Sequence, residues 1–394
     1  MTTLREVLLP ADGLPRGGLT AQARVMVMAP HPDDETLGAG GVLQRAVAAR
    51  AAVRVLFATD GENNPWPQRV LERRWRIGAG ERARWASRRR AEALAALRVL
   101  GVASECVDFL GLPDQRLTEV LLREDDPGAM LAAEIHDWRP TLIVGPSMLD
   151  LHPDHSALAI LLELALASIA PAHRCAQLAY LIHGPLRAAT VGLRLRSAER
   201  RRKETALRCH ASQLLFHHRS FVDRARWENF VSHSAAAPGD AEHPLRGIRL
   251  EGRTSSIDLV IRPRWPLIPT RLHLIGHGFP RGTVRRTVPL PLRSGWVPVR
   301  DSRSDRTVAR AALTHGGGRV HLGVPLGALA RSDRLFLKLE HRTLFFDTAG
   351  WRDVLLQPEE PGRAVRHPAR GFHHHLASGR PVTGASGPEP FPVG

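Results

Sequence analysis

The sequence predicts a Rossmann-like, doubly wound α/β domain with a mostly parallel sheet, followed by a small all-β, sandwich-like domain. Three observations predict it. The 394 residues leave room for two domains, and 43% of them are hydrophobic, enough for a sizeable core. Short apolar runs alternate with longer helical patterns through the first half of the chain. From about Ile248 the helical periodicity fades, and short apolar runs are separated by Gly and Pro clusters.

In chain order, residues 24–28 (RVMVM) read as a buried strand and 36–51 as a helix. Residues 53–58 (VRVLFA) form a second strand, and 82–100 a long helix stopped by Gly101. Residues 106–110 are a third strand, 129–138 a helix, 141–144 a fourth strand, 156–169 a helix and 177–182 a fifth strand. Strands separated by helices pair in parallel through crossover connections, and their ligand crevice lies at the carboxyl ends of the strands. In the second half, 257–261, 271–275, 319–322 and 334–339 read as strands. We expect an α/β domain over 1–245, an all-β domain over 246–356, and a disordered tail over 357–394, where Pro, Gly, Arg and His dominate. His373, His374 and His375 lie in that tail and read as solvated rather than metal-binding. The stretch 63–85 is long for a strand-to-helix connection and is expected to form a mobile wall over the crevice. Trp265 and Trp296 are expected in the core of the β domain.

The formal charge is +16, and the only lysines are Lys203 and Lys338. A basic balance favours anionic partners, while an arginine bias equally reflects coding composition. Arg88, Arg89 and Arg90 are not interleaved with aromatics as in a single-strand groove, so no specific nucleic-acid binding is expected. Cys106, Cys175 and Cys209 form no C-x-x-C pair and fit a reducing compartment. No basic-then-apolar leader opens the chain, and the most apolar stretch, 157–170, contains Glu163 and is too short to span a bilayer. A cytoplasmic protein without a transmembrane segment is the expectation.

The chemistry sits in two clusters. His31-Pro32-Asp33-Asp34-Glu35 follows the first strand and opens a helix. His31 and Asp34 can turn towards one point, with Asp33 offset beside it. His152-Pro153-Asp154-His155 follows the fourth strand and opens another helix, so that one histidine can bind a metal while the other reaches a substrate. Alone, each has an ordinary explanation: an acidic helix start with a chance histidine, or a capping or core histidine. Together they converge at one end of two central strands. Imidazole and carboxylate are good zinc ligands, and three protein ligands with an open fourth position make a catalytic site.

At these residues the sequence resembles the LmbE-like, or PIG-L-like, N-acetylglucosaminyl deacetylases. The family pattern is an apolar strand, then A/P-H-P-D-D-E, and later H-P-D-H, matched by 30–35 and 152–155. Further matches are Thr59-Asp60-Gly61-Glu62, Arg89 with Glu92 leading into 100–102, Gly111-Leu112-Pro113-Asp114, and Lys203 with His210, Ser212 and Gln213. The resemblance covers about residues 22–235 and stops before the β-rich region. It implies a metal held by His31, Asp34 and His155, with Asp33 as general base. His152 would act as an acid or as an oxyanion donor in its protonated form, oriented by Asp154. Arg89 and Asp114 would line the substrate pocket, while Lys203, His210 and Gln213 close the fold. The histidines favour Zn2+ or Fe2+ over magnesium.

The implied reaction is zinc-dependent hydrolysis of an N-acyl group, in the first instance acetyl, from an amino sugar. The substrate would be a small molecule or lipid-linked, with an anionic aglycone as one option. The alternatives are a non-catalytic glycan-binding protein on the same scaffold, an amidase acting on a non-sugar N-acyl substrate, and, on charge alone, a nucleic-acid binder. The β domain could bind glycan, cover the crevice or mediate oligomerisation.

Overall fold

The structure is a computed structural model of the chain. It describes residues 18–169, 175–184, 188–215, 226–231, 243–250, 256–262, 269–278, 282–329, 332–341 and 346–355. The expected tail with His373, His374 and His375 lies outside the described residues, as does Trp265.

The first half runs β1 (Arg24–Ala29), α1 (Asp34–Ala48), β2 (Ala52–Thr59), α2 (Pro65–Glu72), α3 (Ala79–Leu100), β3 (Val107–Leu112) and α4 (Leu117–Arg123). It continues with α5 (Ala129–Trp138), β4 (Leu142–Pro146), α6 (Pro153–Ser168), β5 (Ala176–Tyr180), β6 (Val191–Arg194), α7 (Ser197–Cys209) and β7 (Trp227–Val231). The strands make one seven-stranded sheet in the order β3-β2-β1-β4-β5-β7-β6. β3, β2, β1, β4 and β5 pair in parallel, and β7 runs antiparallel to β5 and β6. The chain winds outward from β1 on one side and returns at β4 on the other. The topological switch therefore lies between β1 and β4, where an open α/β sheet places its ligand crevice.

The apolar runs have a simple cause. Val25, Val27, Val55, Phe57 and Val144 face a core shared with α1, α3 and α7. Met26, Met28, Leu56 and Ile143 face a second core shared with α4, α5 and α6. Strands covered on both faces carry no polar alternation.

The second half forms a nine-stranded sheet: β8 (Leu245–Leu250), β9 (Ser256–Ile261), β10 (Arg271–Gly278), β11 (Gly282–Pro289), β12 (Gly295–Asp301), β13 (Thr307–Gly316), β14 (Arg319–Pro325), β15 (Arg334–Glu340) and β16 (Arg352–Leu355). Its order is β16-β15-β10-β11-β12-β13-β14-β9-β8, and every pairing is antiparallel. Leu274, Val288 and Leu337 from one half share a core with Leu259, Leu313 and Leu322 from the other. The sheet thus folds over on itself, which gives the sandwich-like arrangement. Trp296 departs from the expectation. Val297 and Val299 take the inward positions of β12, so Trp296 falls on the outward parity and is 69% exposed.

Ile275, Phe336 and Trp351 from the second half join the core on the α4–α5–α6 side of the first. The two sheets belong to one compact unit. The stretch 63–85 is largely helical; Gln68 of α2 donates to the carbonyl of Glu81 in α3 at 2.7 Å, and Trp85 is fully buried. Among the described residues, no helix is long and apolar enough to cross a membrane.

Candidate active site

The loop after β1 is held by Thr59, whose N–H and Oγ1 both donate to the carbonyl of Pro30, at 3.0 and 2.9 Å. Asp33 then caps α1 at φ +142°, a backbone conformation that costs an L residue about 1–3 kcal/mol. Its carboxylate makes no cap bond. It faces Arg89 instead, Oδ1 to Nη2 at 3.2 Å. Arg89 is buried, not a solvated helix residue. Its Nη2 donates to the carbonyl of Pro32 at 2.7 Å and its Nη1 to that of Gly61 at 3.1 Å. Gly61 has φ +66°, and the guanidinium fills the space where a Cβ would stand. Gly61 of the 59–62 match therefore serves Arg89, and Arg89 serves Asp33. This differs from the expected role of Arg89 as pocket lining.

The second loop opens α6 with His152 as N-cap and Pro153 in the first turn. The backbone N–H of Asp154 donates to His152 Nδ1 at 3.2 Å. Nδ1 is thus an acceptor, and the proton of a neutral ring sits on Nε2. Asp154 reaches His152 only through this backbone group. Its carboxylate turns to His31 Nε2 at 3.3 Å and accepts from the N–H groups of Gln115 (2.7 Å) and Leu117 (3.1 Å). Asp114 also lies behind His31, with Oδ1 3.2 Å from Nε2.

The two loops meet on one atom. Asp34 Oδ2 is 3.1 Å from His31 Nδ1 and 3.1 Å from His155 Nε2. Ring centroids of His152 lie 4.8 Å from those of both His31 and His155. Donor atoms of His31, His152 and His155 fall within 4.8 Å of one another, as do those of Asp34, His155 and His183. Among the described residues, both ring nitrogens of buried His155 lack a hydrogen-bond partner, although Asp34 and Asp150 stand within ion-pair distance, at 3.1 and 3.4 Å. A buried polar atom without a partner is uncommon. Two orphaned nitrogens flanked by carboxylates are what a cation's donor set looks like, so the residues fit a metal.

The electrostatics agree. Burial opposes charge on His155, but Asp34 and Asp150 outweigh it and hold its pKa up to about 9. Burial also opposes charge on His31, which Asp114, Asp154 and Asp34 raise well above its ordinary value. A field that holds protons on two buried imidazoles favours any cation there. Burial would raise Asp34 too, yet His155 and His31 keep it well below the usual carboxylate range. Burial pushes Asp33 up to about 6, against the pull of Arg89. Burial, with the charges of His155, His31 and His183, drives His152 well below its ordinary value. This field favours the neutral ring, where the expectation had a protonated His152.

Two residues here escaped the sequence reading. Asp150 accepts from the N–H groups of His152 (2.9 Å), Ile182 (3.0 Å) and His183 (3.0 Å), and its pKa is brought down to about 2, against burial, by His155 and His183. His183 follows β5, and its ring lies 5.0 Å from that of His155. The one available signal was its place just beyond the third parallel strand end at the crevice. Lys203, His210 and Gln213 bind α7 and its following turn to the first half. Their partners are Glu228 (2.6 Å), Glu35 (3.2 Å) and Asn64 (3.0 Å).

Residues 26–166 match the family described as "PIG-L: GlcNAc-PI de-N-acetylase". A 1D-myo-inositol 2-acetamido-2-deoxy-alpha-D-glucopyranoside deacetylase of Mycobacterium avium (strain 104) is 34% identical over 146 residues, covering 34% of this chain and 47% of that protein. One from Mycobacterium sp. (strain KMS) is 31% identical over 147 residues, covering 34% and 46%. The chain thus spans about half the length of these curated relatives. Among solved structures, the N,N′-diacetylchitobiose deacetylase of Pyrococcus horikoshii is 19% identical over 52% of this chain and 82% of its own, with a TM-score of 0.41. A conserved protein of Thermus thermophilus is 26% identical over 55% and 97%, with a TM-score of 0.42. The family match over 26–166 contains both histidine loops, His31 to Glu35 and His152 to His155.

Proposed function

We propose that this chain is a metal-dependent hydrolase that removes an N-acyl group, in the first instance acetyl, from an amino-sugar substrate. The observation that carries the reading is the meeting of His31 and His155 on one oxygen of Asp34, with Asp33 held apart by Arg89. His31, Asp34 and His155 would hold the metal. Two imidazoles and a carboxylate suit zinc, and ferrous iron accepts the same donors. Such a cation, when bound, lowers the pKa of a bound water and polarises the amide carbonyl.

The chain's own residues do the rest. Asp33, which burial lifts to about 6, takes the proton of the attacking water and returns it to the departing amine. Arg89 fixes the carboxylate that does this. Neutral His152 donates its Nε2–H to the oxygen that becomes negative in the tetrahedral state, a preorganised donor in a buried site. The N-terminal ends of α1 and α6 open on the same loops and favour developing negative charge. Asp114 and Asp154 back His31, and Asp150 backs His155, as outer-shell carboxylates do for metal-bound imidazoles. The family description and the names of the mycobacterial relatives support an amino-sugar amide as substrate.

The test is direct. The full chain, loaded with zinc or ferrous iron, is incubated with N-acetylglucosamine conjugates, and free amine and acetate are measured. Equal amounts of both, abolished by chelation and restored by metal, support the reading. Folded, metal-loaded protein that releases neither from any N-acyl sugar contradicts it.

A further inference from the structure

A cavity of about 810 Å³ lies between the two sheets, in the size range of small-molecule sites. One wall is the edge of the site just described, with His152, Pro153 and Asp154. The opposite wall is the face of the second sheet that carries His273, Thr287 and Ser302.

The two walls are fastened together. Lys338 of β15, 2% exposed, donates to Ser156 Oγ in the first turn of α6 at 3.0 Å and pairs with Asp347 at 2.7 Å. The N–H groups of Asp347 and Trp351 donate to the carbonyls of Leu151 (2.9 Å) and Met148 (2.8 Å), on the loop that leads to His152. Gly350 lies so close to that loop that a Cβ would strike the Met148 carbonyl. The second sheet is therefore braced against the catalytic loop.

The chemistry of the cavity is specific. Each of the arginines and lysines described in its lining already has a carboxylate. On the second sheet, Arg271 meets Glu340 (3.4 Å), Arg300 meets Asp305 (2.9 Å) and Lys338 meets Asp347 (2.7 Å). On the other wall, Arg116 and Arg123 share Glu119, at 2.7 and 4.0 Å. The described lining carries five Arg or Lys side chains against five Asp or Glu, so it holds no net positive charge for an anion, despite the +16 charge of the chain. Among the described lining residues, Leu122, Pro153 and Pro289 alone are apolar, too little for an acyl chain. A hydrogen-bonded row runs across the sheet face, from Glu340 to His273 (3.1 Å), from His273 to Thr287 (3.0 Å) and from Thr287 to Ser302 (2.9 Å). Paired charges and hydroxyls both give and accept hydrogen bonds, which matches a ligand made of hydroxyls.

We infer that the second sheet supplies a binding site for the part of the substrate beyond the reacting amide, and that this part is an uncharged, polyhydroxylated group such as one or two further sugar units. The inference rests on the hydrolase reading for the identity of the reacting unit. It departs from the anionic aglycone that the net charge suggested.

Binding tests it without turnover. Dissociation constants of N-acetylglucosamine, N-acetylglucosamine 1-phosphate and N,N′,N″-triacetylchitotriose are measured on the full, metal-loaded chain carrying Asp33→Asn, which keeps the ligands intact. The trisaccharide should bind about tenfold or more tighter than the monosaccharide. Thr287→Val and Ser302→Ala should each cut that ratio by about threefold or more, with melting temperature unchanged. Arg300→Gln at the rim serves as a third variant should either of these unfold. A ratio near unity, a ratio that survives in every folded variant, or tighter binding of the phosphorylated sugar would overturn the inference. Length-dependent binding without amine release by wild-type protein would sink the hydrolase reading alone. Amine release with no length dependence would sink this inference alone.

Discussion

Asp33 and Asp34 are neighbours in sequence with opposite electrostatics. Burial lifts Asp33 to about 6, while His155 and His31 hold Asp34 well below the usual range. On the proposed reading, two carboxylates driven apart in this way divide between base and ligand. The HPDDE and HPDH clusters make His31, Asp34 and the pair His152 and His155 stand out in the sequence, and the resemblance to the family singles out His155 as the third ligand. The residues behind them do not, because a support has no fixed spacing. Arg89 reaches Asp33 from α3, and Asp150 reads in sequence like any turn residue after a strand. Two predictions belong here. Arg89→Met should lower kcat by about a hundredfold with metal content retained and KM little changed, by steady-state kinetics and metal analysis, since misplacing a catalytic group costs on that order. Asp150→Asn should weaken metal binding by about 10–100-fold in a competition titration, the usual cost of losing an outer-shell partner.

At the scale of elements, the buried parallel strands were readable because both faces are apolar. Much of the second sheet was not. β11 (GTVRRTVP) and β13 (TVARAALTHG) mix polar and small residues, because they are only partly buried and pair chiefly through their backbones. α2 and α4 are too short for a clear helical period. The two lysines were a signal that the charge count concealed. In a chain that otherwise uses arginine, both are almost wholly buried and ion-paired. Lys203 of α7 joins Glu228 of β7 at 2.6 Å and the carbonyl of Leu37 in α1 at 2.8 Å, while Glu228 accepts from the N–H of Gly41 at 2.6 Å. Lys203→Met should therefore destabilise the fold by about 3–5 kcal/mol in urea unfolding, because it strands a buried carboxylate. Pairing it with Glu228→Gln should recover a large part of that loss, since the uncompensated charge is gone.

At the scale of the molecule, the second sheet and the site form one mechanical unit. His243, just before β8, links its Nε2 to the carbonyl of Gly350 at 3.3 Å, in the segment that braces the loop before His152. Burial holds its pKa down to about 4, below its ordinary 6.5. Because the folded value is the lower one, the unfolded chain binds the proton first as pH falls. The stabilisation is present above pH 6.5 and is lost progressively towards pH 4. Wild-type protein should lose about 2 kcal/mol more than His243→Leu between pH 7.5 and 5, by urea unfolding at each pH. Equal losses would mean that His243 is exposed to water in the folded state.

The most direct measurement compares Asp33→Asn with Asp34→Asn for bound metal and for release of amine from an N-acetylated sugar. Asp33→Asn should keep wild-type metal content and lose about 10²–10⁴-fold in turnover, the typical contribution of a general base. Asp34→Asn should lose the metal and the turnover together. Loss of metal in Asp33→Asn, or wild-type turnover in either variant, would contradict the division of the two carboxylates between proton transfer and metal binding.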